Sequence, residues 1–387
     1  MRLMIPMLVS YAALAGSGSA PSKRDDATAH KKRGMDLYEK GDLDGAIAEF
    51  RQALRLKPDS PQAHNNLGLA LAGKGDLNGA IAEFRQALRL KPDDPEAHNN
   101  LGRALEHKGD PDGAIAEYHE ALRLKPDFPE AHYNLGNALR RKDDLDGAIA
   151  EYRQALRLKP DYPEAHNNLG AGLSRKGDLE GATAELREAL RLKPDSPQAH
   201  ANLGSALAGK GDLEGATAEF REALRLKPDS HEAHYNLGLA LYRKGDLDGA
   251  IAECRQALRL KPDFPEAHIN FGSALYRKGD LDGAIAEYRQ ASRLKPDDPL
   301  AHSNLGNALV LKDDLDGAIA EYRQALRLKP DYPEAHKNLA NALSEKGDLD
   351  GAIAEFREAL RLKPDFPLAQ SRLTELLAKK ATRESKH

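Results

Sequence analysis

Nine asparagines, Asn66, Asn100, Asn134, Asn168, Asn202, Asn236, Asn270, Asn304 and Asn338, recur at intervals of 34 residues. A carboxamide carries a donor and an acceptor, the two polar functions of a peptide bond, so a row of them suits gripping an extended chain by its backbone. Asn is a mediocre helix former, about 0.7 kcal/mol worse than Ala, so its return at one helical position calls for a cause. Two other causes stand beside ligand binding: amides that bridge adjacent helices, and recent duplication of the copies. The preceding position drifts through Asn65, Asn99, Tyr133, Asn167, Ala201, Tyr235, Ile269, Ser303 and Lys337. Variation beside a fixed amide suits a constant backbone grip with changing side-chain contacts.

Tyr235, Tyr242, Arg243, Ile269, Tyr276 and Arg277 fall on the same helical stripe of two consecutive copies. Tyr and Arg are the residue types favoured as binding anchors, and an ordinary solvated helix face is the competing reading. Arg140, Arg141 and Arg175 form a second, purely basic patch. Ten histidines, from His30 through His64 and His98 to His336, also keep register. Zinc ligands must each lie about 2 Å from one ion, and side chains placed one to a copy do not converge, so these read as structural and no metal is expected. Cys254 takes the place that Phe84 holds in its own copy, and reads as a small buried filler.

The elements that carry these residues follow from ten prolines, Pro58 to Pro364, each closing the tetrapeptide Leu-Lys-Pro-Asp, 34 residues apart. A period of this length marks stacked units that bury apolar faces against neighbours. In the copy Pro61 to Asp94, Ala63, His64, Leu67, Gly68, Ala70 and Leu71 give the stripe of one helix, A. Gly75 breaks it and Asp76 caps the next; Leu77, Ala80, Ile81, Phe84, Ala87, Leu88 and Leu90 then give helix B, which Pro92 ends. The small residues Gly68, Ala70, Ala80 and Ala87 let helix axes approach to about 8 to 10 Å. Asp143 and Asp313 replace the turn glycine and tolerate its left-handed backbone, while Pro111 suits a first helical turn. If Ala63, Leu67, Ala70 and Leu71 pack inward, the Asn66 position lies on the remaining stripe of helix A, open to a partner.

Leu67, Gly68, Ala80, Phe84, Ala87 and Pro92 at this spacing resemble the tetratricopeptide repeat, in ten copies over residues 27–366. The resemblance implies an all-α, right-handed superhelical solenoid of antiparallel helix pairs, with A helices lining the concave side. The repeat array attached to O-linked N-acetylglucosamine transferase carries a similar asparagine ladder, but residues 367–387 are not expected to form its catalytic domain. His64 and Leu71 stand where the family commonly has Trp and Tyr. Lys337 and Asn341 match the first pair of the family's carboxylate clamp, and Arg372 breaks the match. Residues 367–380 are expected as a capping helix and 381–387 as a polar tail.

A formal charge of −4 from 57 basic and 61 acidic residues, interleaved, supplies no basic field for nucleic acid. Residues 1–20 resemble a secretory signal peptide, too short in its apolar part to span a bilayer, and 21–26 read as a linker. A functional signal would make the protein secreted or periplasmic; without one it is cytoplasmic. No phosphate loop and no nucleophile beside a base breaks the tenfold repetition, so no catalysis and no cofactor are expected. The expected function is a non-catalytic scaffold that binds an extended peptide or protein segment in the concave groove through the asparagine ladder. The alternative is a structural spacer or self-associating scaffold.

Overall fold

The computed structural model describes residues 23–384, and every regular element among them is an α-helix. The signal-like segment lies outside the described residues. The chain divides into two compact units between Ala165 and His166. The first contains α1 (Lys23–Glu39), α2 (Leu43–Leu56), α3 (Pro61–Gly73), α4 (Leu77–Leu90), α5 (Pro95–Lys108), α6 (Pro111–Leu124), α7 (Pro129–Arg141) and α8 (Leu145–Leu158). The boundary falls within α9 (Pro163–Arg175). The second unit continues with α10 (Leu179–Leu192), α11 (Pro197–Lys210), α12 (Leu213–Leu226), α13 (His231–Lys244), α14 (Leu247–Leu260) and α15 (Pro265–Lys278). It ends with α16 (Leu281–Leu294), α17 (Pro299–Leu311), α18 (Leu315–Leu328), α19 (Pro333–Glu345), α20 (Leu349–Leu362) and α21 (Pro367–Glu384). Odd-numbered helices are A helices and even-numbered ones are B helices, and within each unit a helix packs chiefly on its neighbours in sequence.

Local chemistry sets the boundaries. Asp76 accepts a hydrogen bond from the backbone N–H of Gly79 at 2.9 Å, and the same cap recurs at the start of the other B helices from Asp42 to Asp348. Each satisfies a backbone donor that the first helical turn leaves open. Between A and B the chain turns through a left-handed residue: Gly75 has φ 87°, while Asp143 and Asp313 hold the same conformation at φ 63°. Pro111 opens α6 as the sequence indicated.

The core is assembled from one repeated joint. In the first unit Leu67, Ala70, Ala80 and Phe84 are all buried, and a Cβ added at Gly68 would lie 2.7 Å from the Phe84 ring. The glycine is therefore a seat for the aromatic edge of helix B. The second unit repeats the joint with Gly272 under Tyr288 and Gly306 under Tyr322. Burying one such ring contributes about 1.5 to 3 kcal/mol. Cys254 replaces the ring above Gly238 and is fully buried.

The C-terminal helix docks through Ala369 and Leu376, but leaves Leu368 and Leu377 54% and 40% exposed. It runs to Glu384, so residues 381–384 continue a helix where a polar tail was expected; no Gly or Pro interrupts them. No helix among the described residues is long and apolar enough to cross a membrane.

Candidate functional site

The A-helix stripe that carries the asparagines is half-buried in both units. In the first unit, Nδ2 of Asn100 donates to Oδ1 of Asn65 at 3.1 Å, and Nδ2 of Asn134 donates to Oδ1 of Asn99 at 2.9 Å. These amides bridge successive A helices. Asn66 makes no such bridge among the described residues, because the preceding copy presents Lys31, which has no acceptor, at the position that Asn65 and Asn99 hold in the next two. The Tyr118 hydroxyl passes Gly102 to donate to Glu106 at 3.0 Å, and the Tyr152 hydroxyl reaches Asn137 at 2.8 Å. Buried rings of helix B thus anchor polar groups on helix A. Arg141, read from sequence as part of a basic patch, pairs with Glu106 at 3.0 Å.

In the second unit the rungs differ from one another. Asn202 donates to Asn167 at 2.9 Å, and Asn167 in turn donates to Asn168 at 3.1 Å. Asn338 donates to Asn307 at 2.9 Å, on the oxygen that also accepts the Tyr322 hydroxyl at 2.8 Å. Asn236 and Asn304 form no amide bridge among the described residues: Ala201 and Ile269 stand where an acceptor would be needed. Nδ2 of Asn270 is buried and makes no hydrogen bond. Burial raises the pKa of the Tyr235 phenol, and the Asn270 amide opposes the rise.

The structure brings the aromatic and basic residues together. Tyr235 packs on Phe264 with ring centroids 4.9 Å apart. The Arg277 guanidinium lies 4.8 Å from the Tyr242 ring centroid and donates to the Tyr242 carbonyl at 3.1 Å. Arg243 donates to the Ala208 carbonyl at 3.0 Å. Ile269 is buried, so it serves the core more than the surface. The sequence reading missed Leu311, which is 57% exposed in the register that Arg243 and Arg277 occupy.

A family model described as Tetratricopeptide repeat matches residues 31–95, 73–127, 99–163 and 211–265. A second, described as TPR repeat, matches 173–211, 272–313, 306–347 and 340–380. The chain belongs to the tetratricopeptide repeat family. Tetratricopeptide arrays serve in general as non-catalytic scaffolds for protein partners. Among solved structures, yeast Tom70 is similar at 18% identity over 92% of this chain and 96% of that one, with a TM-score of 0.46. Pseudomonas aeruginosa pilF is similar at 22% identity over 55% of this chain and 97% of that one, with a TM-score of 0.50. YrrB, described as a TPR protein with an unusual peptide-binding site, is 25% identical over 48% of this chain and 95% of that one, with a TM-score of 0.42. No curated protein sequence matches the chain.

The tetratricopeptide histidines have a specific task. Nδ1 of His98 meets Oε2 of Glu117 at 2.6 Å, and its Nε2 meets the Pro92 carbonyl at 3.0 Å. With an acceptor at each ring nitrogen, only the doubly protonated imidazolium satisfies both. Burial opposes that charge, but the hydrogen bonds to Glu117 and Pro92 and the charges of Glu117 and Glu120 outweigh it and raise the pKa. His132 and His268 are raised by the same balance with Glu151 and Glu287. The carboxylate lies 19 residues after each histidine, a recurrence that the sequence displayed. Each histidine thereby ties helix A to helix B and to the preceding turn. Burial pushes the Cys254 thiol up to about 12, the opposite of what a nucleophile needs.

Proposed function

We propose that this tetratricopeptide protein is a non-catalytic scaffold that holds an extended peptide or partner segment along the inner stripe of its A helices. The observation that carries this reading is the row of half-buried amides, one to each A helix from α3 to α19, beside side chains that change from copy to copy. A helices packed about 8 to 10 Å apart meet an extended chain, advancing about 3.3 Å per residue, at every third residue. Backbone contact then comes from Asn66, Asn100 and Asn134 within the first unit and from Asn168, Asn202, Asn236, Asn270, Asn304 and Asn338 within the second, the bridged amides of Asn100, Asn134, Asn202 and Asn338 using the N–H that their bridge leaves over. Side-chain choice comes from Tyr235, Tyr242, Arg243, Tyr276 and Arg277.

The test is titration of an unbiased fluorescent peptide library against the whole chain and against a variant with Asn236, Asn270 and Asn304 changed to Ala. Peptides that bind the parent and lose at least tenfold in affinity on the variant support the reading; a library with no binder overturns it. Exposed Leu368 and Leu377 on α21 favour a second reading, a self-associating scaffold. Concentration-dependent oligomers that disappear with Leu368→Glu and Leu377→Glu would support that role.

A further inference from the structure

We infer that the wall over α13, α15 and α17 selects an extended segment in which two acidic residues and one bulky apolar residue follow at intervals of three. This rests on the peptide-holding reading above and adds the chemistry of the partner. Four rungs, Asn100, Asn134, Asn202 and Asn338, already spend an amide N–H on a neighbouring side chain. Asn236 and Asn304 have no bridge of that kind among the described residues, and Asn270 holds a buried N–H with no acceptor. An unmade hydrogen bond on a buried donor is costly, and a backbone carbonyl that reaches it removes the cost. Asn66 is likewise unbridged among the described residues, but Asn236, Asn270 and Asn304 are the three that follow one another, and they lie in one unit.

The same three copies carry a distinctive row one turn or more further along each helix. Arg243, Arg277 and Leu311 occupy the same position in successive A helices, with Tyr242, Tyr276 and Val310 beside them. All three of the row are exposed. Their guanidiniums are held by carbonyls, Arg243 on Ala208 and Arg277 on Tyr242, and neither is paired with a carboxylate among the described residues. By contrast Lys244 and Lys278, their immediate neighbours, are neutralised by Glu214 and Asp248. Two fixed, uncompensated positive charges therefore precede an exposed leucine. In the next copy the position is Glu345, which ends the attractive row.

With neighbouring A helices about 8 to 10 Å apart and an extended chain advancing about 3.3 Å per residue, the three positions meet residues i, i+3 and i+6 of the bound segment. Carboxylates at i and i+3 face Arg243 and Arg277, and Arg favours them because its remaining N–H groups form a planar fork. A Phe or Leu at i+6 covers Leu311 and Val310. The partner is therefore an acidic segment ending in an apolar side chain, read in one of the two chain directions.

Fluorescence anisotropy on the whole chain tests this with a labelled peptide of pattern Glu-x-x-Glu-x-x-Phe and its reverse, x being Ala or Ser. A third peptide has Lys in place of Glu. One direction of the acidic peptide is expected to bind at least tenfold more tightly than the Lys peptide. The double variant Arg243→Glu, Arg277→Glu is expected to reverse that preference, and Leu311→Asp to weaken the acidic peptide at least fivefold. All three substitutions lie on exposed positions, and circular dichroism checks that the helices persist. Equal binding of acidic and basic peptides, or a preference that the double variant leaves in place, overturns the inference. If library peptides bind and depend on Asn236, Asn270 and Asn304 with no acidic preference, the inference fails and the peptide-holding reading stands. If no peptide binds, both fail.

Discussion

Asn134 donates its side-chain amide to Oδ1 of Asn99 at 2.9 Å, joining two successive A helices, and Asn99 is only 6% exposed. The recurrent asparagine is thus a structural staple wherever the previous helix offers an acceptor, and an open amide where it offers Ala or Ile. One residue type at one helical position performs two tasks, and the side chains that the preceding A helix presents decide which.

This division is measurable by comparing Asn134→Ala with Asn304→Ala. Both gain about 0.5 to 0.7 kcal/mol of helix propensity, so the difference between them isolates the bridge. Asn134→Ala also strands the Asn99 oxygen, a loss of about 1 to 3 kcal/mol. Chemical denaturation should therefore find Asn304→Ala neutral or stabilised and Asn134→Ala lower by about 1 kcal/mol or more. Equal shifts would remove the distinction between closed and open rungs.

The glycine seat makes a second comparison. At Gly102 an added Cβ would meet Cε1 of the buried Tyr118 at 2.6 Å, whereas at Gly238 it would meet Sγ of Cys254 at 3.2 Å. Overpacking costs about 1 to 3 kcal/mol, and the gain in helix propensity offsets about 1 kcal/mol of it. Gly102→Ala should lower the thermal midpoint, and Gly238→Ala should leave it unchanged or raise it. Ala340 against Phe356 is the natural instance of the tight case. If the two variants melt alike, ring contact is not what retains the glycine.

Most of the fold was legible because the repeat forces one solution on every copy. Pro58 to Pro364 fixed the period, and Leu67, Gly68, Ala80 and Phe84 fixed the packing of one pair. The turn residues Asp143 and Asp313 were readable as glycine substitutes, and both adopt positive φ. The site was less legible because its chemistry lies in relations between copies. Whether Asn304 is open depends on Ile269, and Asn338 finds Asn307 because Ser303 is too short to replace an amide. The interval from His98 to Glu117 recurs along the chain, but the sequence reading took the histidines only as structural, and the folded geometry supplies both the Glu117 tie and the Pro92 carbonyl at the other nitrogen.

Those ties give the array a pH dependence of definite sign. The folded pKa of His98, His132 and His268 is raised above the usual 6.5, so the folded state binds protons more tightly than the unfolded chain. Their contribution to stability is complete below about pH 6.5 and is lost as pH rises through the folded value. Thermal midpoints at constant ionic strength should fall on going from about pH 6 to pH 9. Glu117→Gln removes the carboxylate partner of His98 and should reduce the size of that fall. A midpoint that rises with pH over this interval would contradict the imidazolium assignment.

Cys254 should be inert while the fold persists. Its side chain is 1% exposed and its thiol is pushed up to about 12, so at pH 8 about one thiol in ten thousand is ionised. Incubation with a thiol-specific reagent should label the native protein at the rate of unfolding, and label the denatured chain at once. Fast labelling of the folded protein would show that the space above Gly238 opens to solvent.

Asp313 holds a left-handed turn at φ 63° without the freedom of glycine, which occupies the equivalent position at Gly279 with φ 89°. A side chain in this region crowds the backbone, and Asp pays less than most residues because it is short and polar. Asp313→Gly removes the crowding but makes the unfolded chain more flexible, and the two effects leave a gain of about 0.5 kcal/mol. Asp313→Val adds a β-branched side chain at positive φ and should cost about 1 to 2 kcal/mol. The cap at Asp314, which accepts from Gly317 N–H at 2.9 Å, is untouched by either change, so the difference reports the turn alone. Denaturation midpoints ordered Gly above Asp above Val are expected; Val equal to Asp would mean that the backbone turn relaxes away from the left-handed region in solution.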